Sequence, residues 1–136
     1  MTPEATRNVM THHAYIYEGA LALLPALAQD AKARFEFDDM NADAHVREFE
    51  KFGIDESRWL SQTASLRPTG GRSLFVIGAG SMTSESQQAL LKLFEEPQPG
   101  VTFVLLVAFG TVLPTLRSRM LAYPQQLAGE NADGGA

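Results

Sequence analysis

Cysteine is absent from the 136 residues, so the chain has neither disulfides nor thiolate metal sites, and a reducing compartment, the cytoplasm, is the expected location. Long hydrophobic runs are absent too. No apolar stretch approaches the roughly 18 residues that a bilayer-spanning helix needs. The opening segment MTPEATRNVMTHHAY holds no apolar signal-peptide core, so neither membrane insertion nor secretion is expected. Cations are the minority charge: 11 Lys and Arg against 16 Asp and Glu give a formal net charge of −5, which does not attract a phosphate backbone. Direct DNA binding by this chain is therefore not expected. Internal repeats and heptads are missing as well, which excludes solenoids and coiled coils.

What remains is the composition of an ordinary globular domain, 45% apolar and 20% charged, of a length that fits one core. The short aromatic and β-branched run Ala14–Glu18 reads as a strand ending at Gly19. Ala20–Asp30 favours helix, with Pro25 marking a kink or the first turn. Arg34–Phe37 reads as a second strand and the polar stretch Asn41–Lys51 as a connection. Asp55 is the expected N-cap of a helix that places Trp59, Leu60 and Leu66 on one face and stops at Arg67-Pro68. After the turn signal Gly70-Gly71, Ser73–Ile77 is a continuous apolar run of strand length, best buried on both faces.

Gly78-Ala79-Gly80 then reads as a turn. Thr83–Glu96 is a helix with Thr83 or Ser84 as N-cap and Gln87 completing a capping box from Ser84. Its apolar stripe is Leu90, Leu93 and Phe94, and Pro97 ends it. A second apolar run, Val101–Phe109, completes a strand–helix–strand unit of the length that parallel strands require. The expected fold is thus α/β: three layers around a mostly parallel sheet, with residues 1–123 forming the domain and 124–136, poor in large apolar groups, a flexible tail.

Three stretches carry a resemblance: His12–Glu18 (HHAYIYE), Thr83–Pro97 (TSESQQALLKLFEEP) and Leu113–Arg119 (LPTLRSR). In this order and spacing they resemble the AAA+ domain of DNA-polymerase clamp loaders, of the delta-prime type, over roughly residues 12–120. The resemblance implies a P-loop NTPase-like fold, here with lid and collar domains absent. It marks Lys92, Glu95, Glu96 and Pro97 as family-motif positions. It also implies that Arg119, with Ser118 fixing its turn, acts as an arginine finger in trans on a neighbour's nucleotide, although the motif's cysteine is replaced by Met120.

The same comparison shows what this chain lacks. A phosphate-binding loop needs glycines, a lysine and a hydroxyl as G-x-x-x-x-G-K-[ST], whereas Glu18-Gly19 runs straight into Ala20-Leu21-Ala22-Leu23-Leu24. Where the family has an Asp-Glu pair for magnesium, this chain has Gly78-Ala79. No nucleotide, magnesium or other cofactor, and no catalysis in cis, is expected. The implied function is that of a non-catalytic delta-prime-like subunit in DNA replication. Its expected partners are a gamma/tau-type clamp-loader ATPase subunit and the delta subunit, with DNA met only through the assembled complex. A stand-alone degenerate AAA+ module that regulates another AAA+ protein is the alternative.

Among other candidates, His12 and His13 point to opposite sides of an extended strand and have no third ligand nearby, so a structural role is expected. Trp59, Phe49 and Phe52 read as core packing rather than a base-stacking platform, because the charge balance of the chain is acidic. Gly78-Ala79-Gly80 lacks the third glycine and distal acid of a dinucleotide fingerprint.

Overall fold

A computed structural model of the chain describes residues 13–37, 43–66, 70–96 and 98–127; the expectations placed on His12, on the helix stop at Arg67-Pro68, on Pro97 and on residues 128–136 lie outside the described residues. The apolar runs behave as their composition dictates. Strands β1 (Ala14–Glu18), β2 (Ala44–Phe52), β3 (Ser73–Met82), β4 (Val101–Val107) and β5 (Leu121–Ala122) form a five-stranded sheet of order β2-β3-β4-β1-β5. All four strand pairings are parallel.

Alternation within the buried strands divides their side chains between two layers. Ala14, Ile16, Phe75, Ile77, Phe103 and Leu105 face one way, toward α2 (Ile54–Ser65) and α3 (Ser84–Glu95). Tyr15, Tyr17, Leu74, Val76, Val104 and Leu106 face the other, toward α1 (Leu24–Arg34). The result is the three-layer α/β architecture, with helices on both faces of the sheet.

Several local expectations are corrected. Arg34–Phe37 is not a strand: Arg34 closes α1, and Glu36 adopts φ 62 in the left-handed region. Phe37 N–H reaches Lys32 O at 2.7 Å and Glu36 N–H reaches Ala33 O at 3.3 Å, the two bonds of a Schellman helix end. Arg72 holds this end by donating to Phe35 O and Glu36 O at 2.7 and 2.9 Å while lying over the Phe37 ring. Phe35 and Phe37 are buried by this turn rather than by strand pairing.

The polar stretch read as a connection is instead β2 (Ala44–Phe52), paired along its length with β3 at the edge of the sheet. An edge strand needs only partial apolar cover. On its inward side His45 stacks on Phe75, and the Arg47 guanidinium lies 5.3 Å from the Phe49 ring centroid and 4.7 Å from that of Trp59.

Gly78-Ala79-Gly80 is not a turn either, since β3 continues through it to Met82. The glycines answer to close approach instead: a Cβ at Gly80 would lie 2.7 Å from the backbone oxygen of Glu50 on β2. Gly53, not Asp55, caps α2, and the Glu56 side chain accepts from Gly53 N–H at 2.8 Å. Leu66 lies beyond the helix and is exposed, off the buried face. Thr83 caps α3, accepting from Ser86 N–H at 3.1 Å. Phe109 falls past the end of β4 and is exposed.

At the carboxyl end, β5 (Leu121–Ala122) adds a short parallel edge to β1. Residues 124–127, expected within a flexible tail, are held against the domain. Leu127 is fully buried against the α1 side of the sheet, and Gln125 O accepts from the Tyr17 hydroxyl at 2.8 Å.

Candidate functional site

The segment that follows β4 leaves the sheet and runs along α3. At the amino-terminal part of α3, buried Gln87 donates through Nε2 to Thr111 O at 3.1 Å and accepts Leu113 N–H at 2.7 Å. An amide side chain with one donor and one acceptor so matches both orphan groups of the loop. The capping box expected from Ser84 and Gln87 is thereby corrected: Gln87 serves a distant backbone rather than its own helix start.

Pro114 then opens the single turn α4 (Pro114–Arg117), where its missing N–H costs nothing. Leu116 turns inward and is buried with Val112 and Met120 in the α2–α3 core. Between α3 and α4 lies a groove of about 410 Å³ lined by Gln87, Leu91, Lys92, Glu95, Leu113 and Leu116, among others.

At the far end of this segment the structure brings two sequence-marked residues together. Arg119 Nε donates to Glu95 Oε2 at 3.1 Å, and Arg119 Nη1 lies 3.3 Å from Ser118 Oγ. Ser118 Oγ itself donates to Thr115 O at 2.7 Å and closes the turn. Arg119, Ser118, Lys92, Glu95 and Glu96 are all exposed. Lys92 lines the groove, and Glu96 is the C-cap of α3. Glu95 sits in the last helical turn, where the macrodipole disfavours a carboxylate by roughly 0.3–1 kcal/mol. An exposed ion pair returns roughly 0–1 kcal/mol. The two effects cancel to first order, so the Arg119–Glu95 contact orients the side chains without adding net stability.

A second ion pair, not anticipated from the sequence, lies two residues earlier. Arg117 donates to Glu18 at the carboxyl end of β1, a carboxylate that is almost wholly buried. This hydrogen bond and the Glu18 charge hold the Arg117 guanidinium above its ordinary pKa. Glu18 is the last residue of β1, ahead of the loop that leads to α1. Beyond it, Gly19 N–H continues the sheet ladder to Val107 O at 2.9 Å. The short 3-10 turn Leu21–Leu23 then leads into α1. A Cβ at Gly78 would lie 2.8 Å from Leu21 Cδ1 and 3.3 Å from Leu24 Cδ2. Leucine side chains therefore rest against β3 at Gly78.

On the opposite face, buried Asp30 accepts from the Tyr123 hydroxyl and from Arg34. Burial, then the Asp30 carboxylate, push the Tyr123 phenol far up from its ordinary pKa. Arg34 is likewise raised, chiefly by its hydrogen bond to Asp30. No sequence pattern announces this triad, because its members are 93 residues apart at the widest.

The remaining candidates resolve plainly. The His13 ring is engaged by Phe94 O. Among the described residues, no three His, Asp or Glu side chains group in a way that suits a metal. Trp59, Phe49 and Phe52 pack with Phe75 against the α2–α3 core. No helix among the described residues is long and apolar enough to cross a membrane.

Comparison with known proteins follows the geometry. The sequence is not matched by any curated protein. Its fold is similar to that of a DNA polymerase III gamma subunit-related protein from Thermotoga maritima, with a TM-score of 0.67 at 19% identity. The match covers 96% of this chain and 47% of that one, so the chain spans about half the length of its structural relative. The family described as DNA polymerase III, delta subunit, matches residues 29–126, well over half of the sequence. The chain therefore belongs to the DNA polymerase III delta-subunit family, within the clamp-loader AAA+ proteins.

Proposed function

We propose that this chain is a non-catalytic, delta-prime-like component of a sliding-clamp loader that acts in DNA replication by presenting Arg119 to the nucleotide of an adjoining ATPase subunit. The observation that carries the reading is the placement of Arg119: exposed, at the end of a segment tied along α3 by Gln87 at one end and Glu95 at the other. A planar, permanently charged guanidinium so placed suits the charge that develops on a transferring γ-phosphate.

The absence of a nucleotide site in cis is supported by Leu21 and Leu24, which pack over Gly78 where a cradle and a magnesium site would need open polar space. The partner is a gamma/tau-type ATPase subunit, which would supply the phosphate loop, magnesium and ATP, with the delta subunit as a second neighbour. DNA is reached only through that assembly, in keeping with the net charge of −5.

The test is ATP turnover by the cognate ATPase subunit in the presence of the full 136-residue chain. Wild type is expected to bind and raise turnover, while Arg119→Ala binds and does not. Equal stimulation by both proteins would remove Arg119 from the reaction.

A further inference from the structure

The structure assigns Glu95 a part in this chemistry: we infer that it is the positioning residue that fixes the plane of the Arg119 guanidinium before an ATPase neighbour arrives. The inference rests on the proposed arginine-finger role of Arg119 and deepens it.

An exposed arginine on its flexible stem loses substantial rotamer freedom when it is fixed for catalysis. That loss is avoided at the moment of reaction if the side chain is already held. Here Glu95 Oε2 takes Nε, the donor nearest the stem, at 3.1 Å. Ser118 Oγ meets Nη1 at 3.3 Å, and Ser118 is itself fixed by Thr115 O at 2.7 Å. A charge-assisted hydrogen bond to Nε combined with one to Nη1 defines the guanidinium plane and not merely its position. Both anchors stand on firm elements: Glu95 on the last turn of a twelve-residue helix, and Ser118 directly after a turn whose Leu116 is buried.

Stability does not account for the carboxylate at this site. A glutamate in the last turn opposes the helix dipole, and an exposed ion pair offsets that cost without exceeding it. Alanine at position 95 would be the better helix former and would remove the dipole conflict. Glu95 thus suits the orientation of Arg119 rather than the helix that carries it, so fold stability and stimulated turnover should respond to its removal in opposite senses.

The experiment compares wild type, Glu95→Ala, Arg119→Ala and the double variant, each as the full chain mixed with the cognate ATPase subunit. Melting temperature, affinity for that subunit and turnover at saturating ATP are measured together. The expected result is that Glu95→Ala melts no lower than wild type and binds with unchanged affinity, but lowers stimulated turnover by up to about 100-fold, the scale of loss from a misplacement of about 1 Å. In the Arg119→Ala background the same change is expected to have no further effect.

If Glu95→Ala stimulates as well as wild type while Arg119→Ala does not, the positioning role is refuted and the finger role stands. Should Glu95→Ala raise turnover, the contact restrains Arg119 instead, and the inference fails. A loss of equal size in both backgrounds would mark Glu95 as acting independently of Arg119, which also overturns it. If Arg119→Ala is as active as wild type, or if the wild-type chain does not associate, the parent reading falls and takes the inference with it.

Discussion

Replacing Gln87 by alanine tests whether the segment bearing Arg119 is anchored in the way the hydrogen bonds indicate. Gln87 is buried, and it satisfies the Thr111 carbonyl at 3.1 Å and the Leu113 N–H at 2.7 Å. Each such bond contributes roughly 0.5–1.5 kcal/mol net, and an abandoned, partly buried backbone group costs roughly 1–3 kcal/mol unless water reaches it. Alanine restores a good helix former in α3 and so recovers a few tenths of a kcal/mol. The balance is a loss of about 2–3 kcal/mol. For a domain of this size, at about 3 °C per kcal/mol, the melting temperature should fall by about 6–9 °C. Thermal unfolding followed by circular dichroism gives that number. Amide exchange gives the location, because Leu113 N–H should lose its protection while the amides of β3 and β4 keep theirs. Gln87→Glu sharpens the test: it retains an acceptor for Leu113 N–H but sets a carboxylate against the Thr111 carbonyl, so it should be no more stable than alanine. If Gln87→Ala melts within about 2 °C of wild type with Leu113 still protected, the bridge is not what holds this loop.

Two further outcomes follow from the α1 side of the sheet. The Tyr123 phenol is raised, so above pH ~10 the unfolded chain releases a proton that the folded chain retains; its contribution to stability is complete below that pH and is lost as pH rises further. Wild type should accordingly lose stability between pH 9 and 11 (roughly, bracketing the ordinary phenol value) more steeply than Tyr123→Phe, and parallel urea-denaturation curves against pH would contradict the assignment. Leu127→Ala should destabilise the domain by about 2–5 kcal/mol, as expected for a fully buried leucine, whereas a wild-type melting temperature would return residues 124–127 to the mobile tail that the sequence suggests.

The sequence by itself determined the layers. Ser73–Ile77 and Val101–Val107 are apolar at every or nearly every position because both faces of a central parallel strand are covered, and no other element of that length needs such a run. Thr83 was legible as one of two cap candidates, with Ser84, because its hydroxyl acts within three residues, on Ser86 N–H. The motif pieces Thr83–Pro97 and Leu113–Arg119 were enough to indicate the family.

Where the outcome depended on a distant partner, tertiary structure decided. β2 is polar because it lies at an edge, and its strand state comes from backbone pairing to β3 rather than from its side chains. Gly78 and Gly80 look like turn residues until Leu21, Leu24 and the Glu50 carbonyl are found pressed against them. Glu36 enters the left-handed region at a helix end where glycine is usual, and the Arg72 bonds to the carbonyls of Phe35 and Glu36 help hold that end in place. For the candidate site, Arg119, Ser118 and Glu95 could each be named from the chain. That Glu95 and Arg119 meet could not, since their separation of 24 positions runs through a whole strand and a loop. Local chemistry reaches only a few residues along a chain, whereas long-range contacts such as this one are set by the sheet register that the packed core selects.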